Sequence, residues 1–423
     1  MLEALEQVDW GQLTHAYGTA EDVPVLIRDL RDPDATTRQN AINHLFNTIF
    51  HQGSRYRASA PAVPFLFEVL EAPDTQGKEQ ILLLLEHLAV GYPENHLGHG
   101  FAPDKAFARA ERLGRRVDLA KLRAAEPQEK DQWDLGRQNL WEKDAYEAVL
   151  QRIDCVQRLT RDSDKPVRIE AVRTLAWFPA VAASSIAYVR GTVHSRSDPE
   201  ELANAIHCLA ILGHYLKDRS DVPWLRTQLA PEQPFLVRVT AAISLAILLK
   251  KSLPTEAIDV LLEMVQYPEK AQPAGQDVSW HCPGLLSEAV EVIKRAKPKP
   301  TEPIVAALCQ AAERVEDAMS GVDVFYALLT VTFPPPKELP LERNAQGLPY
   351  LNPAHLTPNQ WRALQAIGRS KVWQQEPFFY GRLMDLGLEY GLPWHPKPFA
   401  DYLAGAEHAL GNPNDRQPTE HGG

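Results

Sequence analysis

The chain has 423 residues, and its 55 acidic side chains outnumber the 44 basic ones by 11. With 44% hydrophobic and 23% charged residues it has the composition of a folded globular protein, neither disordered nor collagen-like. The acidic balance opposes whole-surface attraction to nucleic acid or to anionic membranes, while 34 prolines, well above the usual ~5%, call for a structural reason.

The first ten residues, MLEALEQVDW, hold three acidic residues and no basic one, unlike a secretory or organellar leader. The longest apolar stretches, Ile81 to Leu85 and Val239 to Leu249, fall short of the ~20 residues that span a bilayer. Cys155, Cys208, Cys282 and Cys309 are dispersed without a CxxC pair, as suits reduced thiols. Together these features lead us to expect a cytoplasmic protein.

Three segments superimpose without a gap: DPDATTRQNAINHL (32–45), DSDKPVRIEAVRTL (162–175) and EQPFLVRVTAAISL (232–245). Each carries an acidic residue, then Arg38, Arg168 or Arg238 six positions on, then Ala41, Ala171 or Ala241, then Leu45, Leu175 or Leu245. A small residue followed by Leu at i+4 marks the buried stripe of a closely packed helix. Two of these segments follow DVPVLIRDL (22–30) and DVPWLRTQL (221–229), and APAVPFLFEVL (60–70) reads alike. Proline near a helix start costs nothing, because its missing N–H has no intrahelical acceptor there. The unit is thus a Pro-started helix, a turn, and a second amphipathic helix.

In the first unit Ile42, Leu45, Phe46, Ile49 and Phe50 form one apolar stripe, and Asn40, His44, Asn47 and His51 form a polar one. The patterning predicts further helices over 78–90, 105–123, 132–159, 199–216, 255–267, 283–295 and 303–329. No segment alternates with period two for long, so the fold class is all-α.

The repeated unit resembles the HEAT repeat, in the bacterial variety first noticed in phycobilisome lyases. The resemblance rests on Asp-Pro-Asp before Arg38, Asp-Ser-Asp before Arg168 and the Ala and Leu positions that follow. A wider likeness, in HAYGTAEDVP, HQGSRYRASAPAVPFL, AYEAVL, LAWFP and LTPNQWRAL, is to a group of bacterial HEAT-repeat proteins. It implies an α-α superhelix, a HEAT- or armadillo-like solenoid, with a C-terminal helical cap. It further implies a ladder along the turns, with Asp34 beside Arg38 and Asp164 beside Arg168. In the third unit Pro234 stands where Arg238 would need its aspartate.

The expected organisation is HEAT-like helical pairs over 1–95 and an irregular loop, basic helix and long helix over 96–159. A second HEAT-like block over 160–331 is followed by a Pro-rich connection over 332–358. A helical cap over 359–410, in which Trp361, Trp373 and Trp394 serve as core, precedes a disordered tail over 411–423.

Catalytic signatures are absent: there is no GxxxxGK[ST], GxSxG, HExxH or GxGxxG. The His-Glu pairs with which a HEAT-like hydroxylase holds two irons do not occur, so no metal and no cofactor is expected. His44 with His51, and His207 with His214, are spaced i, i+7, about 10 Å along a helix, too far apart to share one zinc ion. They read as a polar face open to a protein partner, together with Asn47. The turn His51 to Arg57 is the most distinctive segment. Either Arg55 and Arg57 pair with neighbouring acids while Tyr56 packs into a groove, or the three anchor a partner's carboxylate or phosphate. Finally, Arg109, Arg112, Arg115, Arg116, Lys121 and Arg123 form a basic run on an acidic chain, either a solvated face or a dock for an acidic partner. The expected function is a non-catalytic scaffold that binds a protein partner on its concave surface, with nucleic acid disfavoured. The alternative is an enzyme or DNA-repair protein, glycosylase-like or lyase-like, on a HEAT-like scaffold.

Overall fold

The computed structural model describes residues 2–125, 134–193, 198–271, 284–296, 302–344, 346–374 and 380–404. It is an all-α solenoid fold, and its residues fall into two compact units, Met1–Leu225 and Arg226–Gly423.

In the first unit the repeat reads as helix pairs. Helices α1 (Val23–Asp29) and α2 (Ala35–Thr48) form the first pair, α3 (Ser59–Glu71) and α4 (Lys78–Val90) the second. Their start signals are those of the sequence. Pro24 and Pro61 occupy first turns, and the Asp34 carboxylate accepts from Thr37 N at 2.8 Å to cap α2. Ala41, Ile42 and Leu45 of α2 are buried, and α4 buries Ile81, Leu82, Leu84, Leu85 and Leu88. At roughly 1.5–3 kcal/mol for each such aliphatic side chain, this stripe is what holds the pairs together.

The expected basic helix over 105–123 is instead three short helices: α5 (Pro103–Ala106), α6 (Ala108–Gly114) and α7 (Leu119–Ala124). The chain breaks at Phe107 and again before Asp118, whose side chain caps α7 through Ala120 N and Lys121 N. The expected long helix over 132–159 is also interrupted, giving α8 (Leu135–Leu150) and α9 (Ile153–Leu159); residues 132 and 133 lie outside the described residues. Helix α8 packs against α3, α4 and α6. Ala110, Leu140 and Trp141, joined by Leu113, Leu119 and Leu122, form a small satellite core there. Asn139 of α8 locks the break between α5 and α6, donating to Ala106 O at 2.8 Å and accepting from Ala110 N at 3.0 Å.

The repeat resumes with α10 (Lys165–Leu175), which packs on α4, and continues with α11 (Ala182–Val193) and α12 (Pro199–Leu216). Asp198 caps α12 through Glu200 N and Glu201 N. Helix α13 (Val222–Thr227) spans the boundary between the units.

The second unit holds α14 (Phe235–Leu249), α15 (Thr255–Gln266), α16 (Leu285–Ala296), α17 (Glu302–Arg314) and α18 (Ala318–Thr332). The single helix expected over 303–329 is thus two, because Asp317 turns the chain and caps α18 through Met319 N and Ser320 N. Helices α19 (Pro358–Gly368), α20 (Tyr380–Tyr390) and α21 (Pro396–Leu403) follow the Pro-rich stretch, with α19 against α17 and α18. Trp394 is buried, and Trp373 stacks on Phe325 while donating to Ile367 O at 2.6 Å. The tail over 411–423 lies outside the described residues.

Three two-residue ribbons interrupt the helices, none anticipated from the periodicity: β1–β2 (Thr14–His15 with Gly18–Thr19), β3–β4 (Phe50–His51 with Ser54–Arg55) and β5–β6 (Glu342–Arg343 with Pro349–Tyr350). Two residues are too few to show an alternation. Among the described residues no single helix is long and apolar enough to cross a membrane.

Candidate partner-binding site

The first two ribbons precede α1 and α3 in the same way and are tied together. Ala16 N donates to Thr48 O and Ala58 N to Thr14 O, each at 3.1 Å. In the β3–β4 turn both Gln52 (φ 48°) and Gly53 (φ 83°) are left-handed, the geometry of a tight two-residue hairpin. A Cβ on Gly53 would stand 2.8 Å from Tyr92 Cε2, so glycine is required for space as well as for φ. His15 Nδ1 accepts from Tyr17 N at 3.1 Å, so Nε2 carries the proton and donates to Asp22 Oδ1 at 2.9 Å. The Tyr17 ring, 67% exposed, meets the His51 ring edge-on at 5.3 Å. Phe50 continues the aromatic run to His87 and Tyr92.

His44 and Asn47 point to solvent from α2, about two turns and one turn before half-buried His51. The other expected contact residues do not share this face. His207 of α12 is completely buried, and His214 is half-buried beside Tyr215. That removes His207 from the expected binding surface.

Arg55 and Arg57 are likewise interior, 6% and 7% exposed, which favours the structural one of the two readings of this turn over partner anchoring. The Arg55 guanidinium donates to Gly53 O and lies 3.7 Å from Glu142 Oε2; burial lowers its pKa and Glu142 opposes the shift. Arg57 donates to Arg123 O at 2.7 Å and Ala125 O at 2.5 Å, closing the C-terminus of α7, and stacks 5.5 Å above Trp141. Tyr56 is half-buried, and burial raises its hydroxyl pKa. With Arg57, Arg123, Trp141 and Asp144 it borders a cleft of about 320 Å³. The turn is thus a clamp that fastens the α5–α7 insertion to the repeat frame.

A second polar constellation was invisible in the sequence. Glu86 of α4, fully buried, accepts from Trp177 Nε1 at 2.6 Å and from Arg173 Nε at 3.0 Å, while Arg173 Nη2 lies 3.0 Å from its other oxygen. Arg173 Nη1 is also 3.8 Å from Glu170 Oε1. Burial raises the Glu170 pKa to about 7; Arg173 opposes the shift, and Glu86 and Glu79 add to it.

The repeat arginines act on their own turns. Arg38 Nη1 donates to Asp32 O (2.7 Å) and Pro33 O (2.9 Å), and Arg168 Nη1 to Asp162 O (2.9 Å) and Ser163 O (2.7 Å). Arg168 also pairs with Glu201 of the next helix pair. Arg238, in the second unit, reaches Leu229 O at 3.3 Å and Glu263 Oε2 at 3.1 Å. Asp34 meanwhile spends its carboxylate on the α2 cap, and Asp164 N is held by Asp162 Oδ1 at 2.9 Å, so backbone carbonyls take the place of the expected aspartates.

In the basic run Arg109, Arg112, Arg115, Arg116 and Lys121 are exposed, and none is in an ion pair among the described residues. Arg123 differs, holding Asp144 through Nε at 2.7 Å. Among the described residues no three His, Cys, Asp or Glu side chains are placed to hold a metal ion. Cys155, Cys208 and Cys309 are free and buried, with thiol pKa values pushed up by burial, those of Cys155 and Cys309 to about 12 and about 11. Cys282 lies outside the described residues.

Residues 154–246 match the family of HEAT repeats, which covers α9 to α14 and two of the three superimposable segments. No curated protein matches the chain. Among solved structures, the crystal structure of an engineered protein is 17% identical over 87% of this chain and 92% of its own, with a TM-score of 0.29. Residues 154–246 thus match HEAT repeats within an all-α solenoid fold.

Proposed function

We propose that this protein is a non-catalytic, cytoplasmic scaffold of the bacterial HEAT type that binds a protein partner on the concave face lined by its second helices. Stacked helix pairs offer an extended surface rather than a deep pocket. The observation that carries the reading is the patch formed by His44, Asn47, His51 and Tyr17. It is polar and aromatic, and it stands on a helix and two ribbons whose own hydrogen bonds are made internally. Rigid aromatic and amide side chains on a fixed frame bind with little loss of side-chain entropy.

A glycosylase-like or lyase-like reading would need a carboxylate that substrate can reach. Glu86 is buried, its Oε1 accepts from Arg173 and Trp177, and its Oε2 lies 3.0 Å from the Arg173 guanidinium, which favours a structural link between α4 and α10. Affinity capture from the native host, run in parallel with the wild type and a Tyr17→Ala/His44→Ala/Asn47→Ala variant, tests the proposal. A partner retained by the wild type and lost by the variant at unchanged melting temperature supports it. Equal retention places the interface elsewhere.

A further inference from the structure

We propose that the outer surface of α6 and α7 is a docking site for an acidic peptide segment that carries an apolar side chain, contributed by a partner protein. This surface is separate from the His44–Tyr17 face and the inference does not rest on that reading. Arg109, Arg112 and Arg116 follow one another at i, i+3 and i+7, so they share one side of α6 and the turn that ends it. Arg115 and Lys121 flank them, all five are exposed, and none is neutralised by an ion pair among the described residues. The acids within this stretch are committed elsewhere. Glu111 lies 3.6 Å from Lys143, and Asp118 accepts from the first N–H groups of α7. Guanidinium groups without an ion pair among the described residues, on a chain with 11 excess negative charges, form a patch whose complement is acidic.

Two observations favour a peptide over nucleic acid. Helices α6 and α7 contain seven and six residues, so together they present on the order of 20 Å of surface. A duplex carries a charge about every 1.7 Å and extends far past such a patch, where it meets a predominantly acidic protein. A short acidic segment stays within the patch, since charges beyond ~8–10 Å are screened at physiological salt. The second observation is Val117, 42% exposed between Arg116 and Asp118. An apolar side chain amid arginines offers a phosphate nothing, but it gives a Leu or Ile of a peptide a surface to cover. The satellite core of Leu140 and Trp141 beneath fixes the two helices in place.

The test uses the full chain and a fluorescein-labelled peptide of about eight residues alternating Glu with Leu, long enough to cross the patch when extended. Fluorescence anisotropy should show binding that weakens as salt rises. Affinity should fall about tenfold or more in an Arg112→Glu/Arg116→Glu variant and to an intermediate degree in Arg112→Gln/Arg116→Gln. Val117→Asp should weaken it as well, whereas His44→Ala/Asn47→Ala should leave it unchanged. A Lys-Leu peptide of the same length should not bind. Equal affinity for wild type and the Glu variant, no binding to wild type, or tighter binding of a single-stranded oligonucleotide than of the acidic peptide would each overturn the proposal.

Discussion

Glu86 on α4 and Arg173 on α10 meet inside the first unit with 3.0 Å contacts to both carboxylate oxygens, although 87 residues separate them in the chain. The insertion that contains α5 to α7 lies between these two helices in sequence, and this pair is the buried one of the polar bonds that join the repeat on either side of it, Glu71 with Arg152 and Arg158 being a more exposed one. Trp177 Nε1 also donates to the same carboxylate. Arg173→Met should therefore destabilise the fold by roughly 3–5 kcal/mol, because it leaves the Glu86 charge buried with one donor. A Glu86→Leu/Arg173→Met double variant should recover much of that loss, since apolar packing of similar volume replaces a buried pair at little cost. Urea denaturation of the two single variants and the double variant gives the coupling; a double variant as unstable as the sum of the singles would contradict it.

Glu170, with its pKa raised to about 7, sets the pH dependence of this region. In the unfolded chain a glutamate titrates near 4.3, so between about pH 4.5 and 7 the folded state holds a proton that the unfolded state has released. The contribution of Glu170 to stability therefore falls as pH rises through that window, and above pH 7 its ionised form costs on the order of a few kcal/mol. Glu170→Gln keeps the shape and removes the charge. It should raise the urea midpoint at pH 8 by more than at pH 5. An equal shift at both pH values would show that the carboxylate is already ionised at pH 5.

Local pattern carried the fold a long way. Helix α4 over 78–90 and α12 over 199–216 begin and end where the sequence places them, because both have a start signal and an unbroken apolar stripe. The breaks at Phe107, Gln151 and Asp317 were missed, since a helical period passes through one or two irregular residues without losing phase. The site was less legible. Arg57 reads as a surface anchor until α7 supplies the carbonyls of Arg123 and Ala125, 66 and 68 residues later. Nothing local to Glu86 reveals that an arginine on another helix pair will bury it. His44 and Asn47, by contrast, were legible because their exposure follows from the stripe of α2 alone.

Gly53 offers a two-part test of the hairpin beneath the proposed binding face. Gly53→Ala should cost about 1–3 kcal/mol, from its φ of +83° and from the contact its Cβ would make with Tyr92. Tyr92→Ala removes the obstacle but not the backbone strain, so the double variant should regain only part of the loss. Thermal unfolding of the set resolves the two contributions, and full recovery in the double variant would mean that space alone dictates glycine.

Asn139 bears on the basic surface without touching it. Its amide accepts from Ala110 N, an N–H in the first turn of α6 that has no intrahelical acceptor, and donates to Ala106 O just before that helix. Asn139→Ala leaves both groups without their partner, a loss of about 1–3 kcal/mol. The cost should stay local, because α6 packs on α8 through a satellite core of its own. Amide hydrogen exchange should therefore accelerate across 103–124 while protection in α4 and α10 is retained. The acidic-peptide affinity should fall in parallel, since α6 would no longer hold Arg109, Arg112 and Arg116 on one side. Uniformly faster exchange throughout the first unit would instead make Asn139 a keystone of the whole unit.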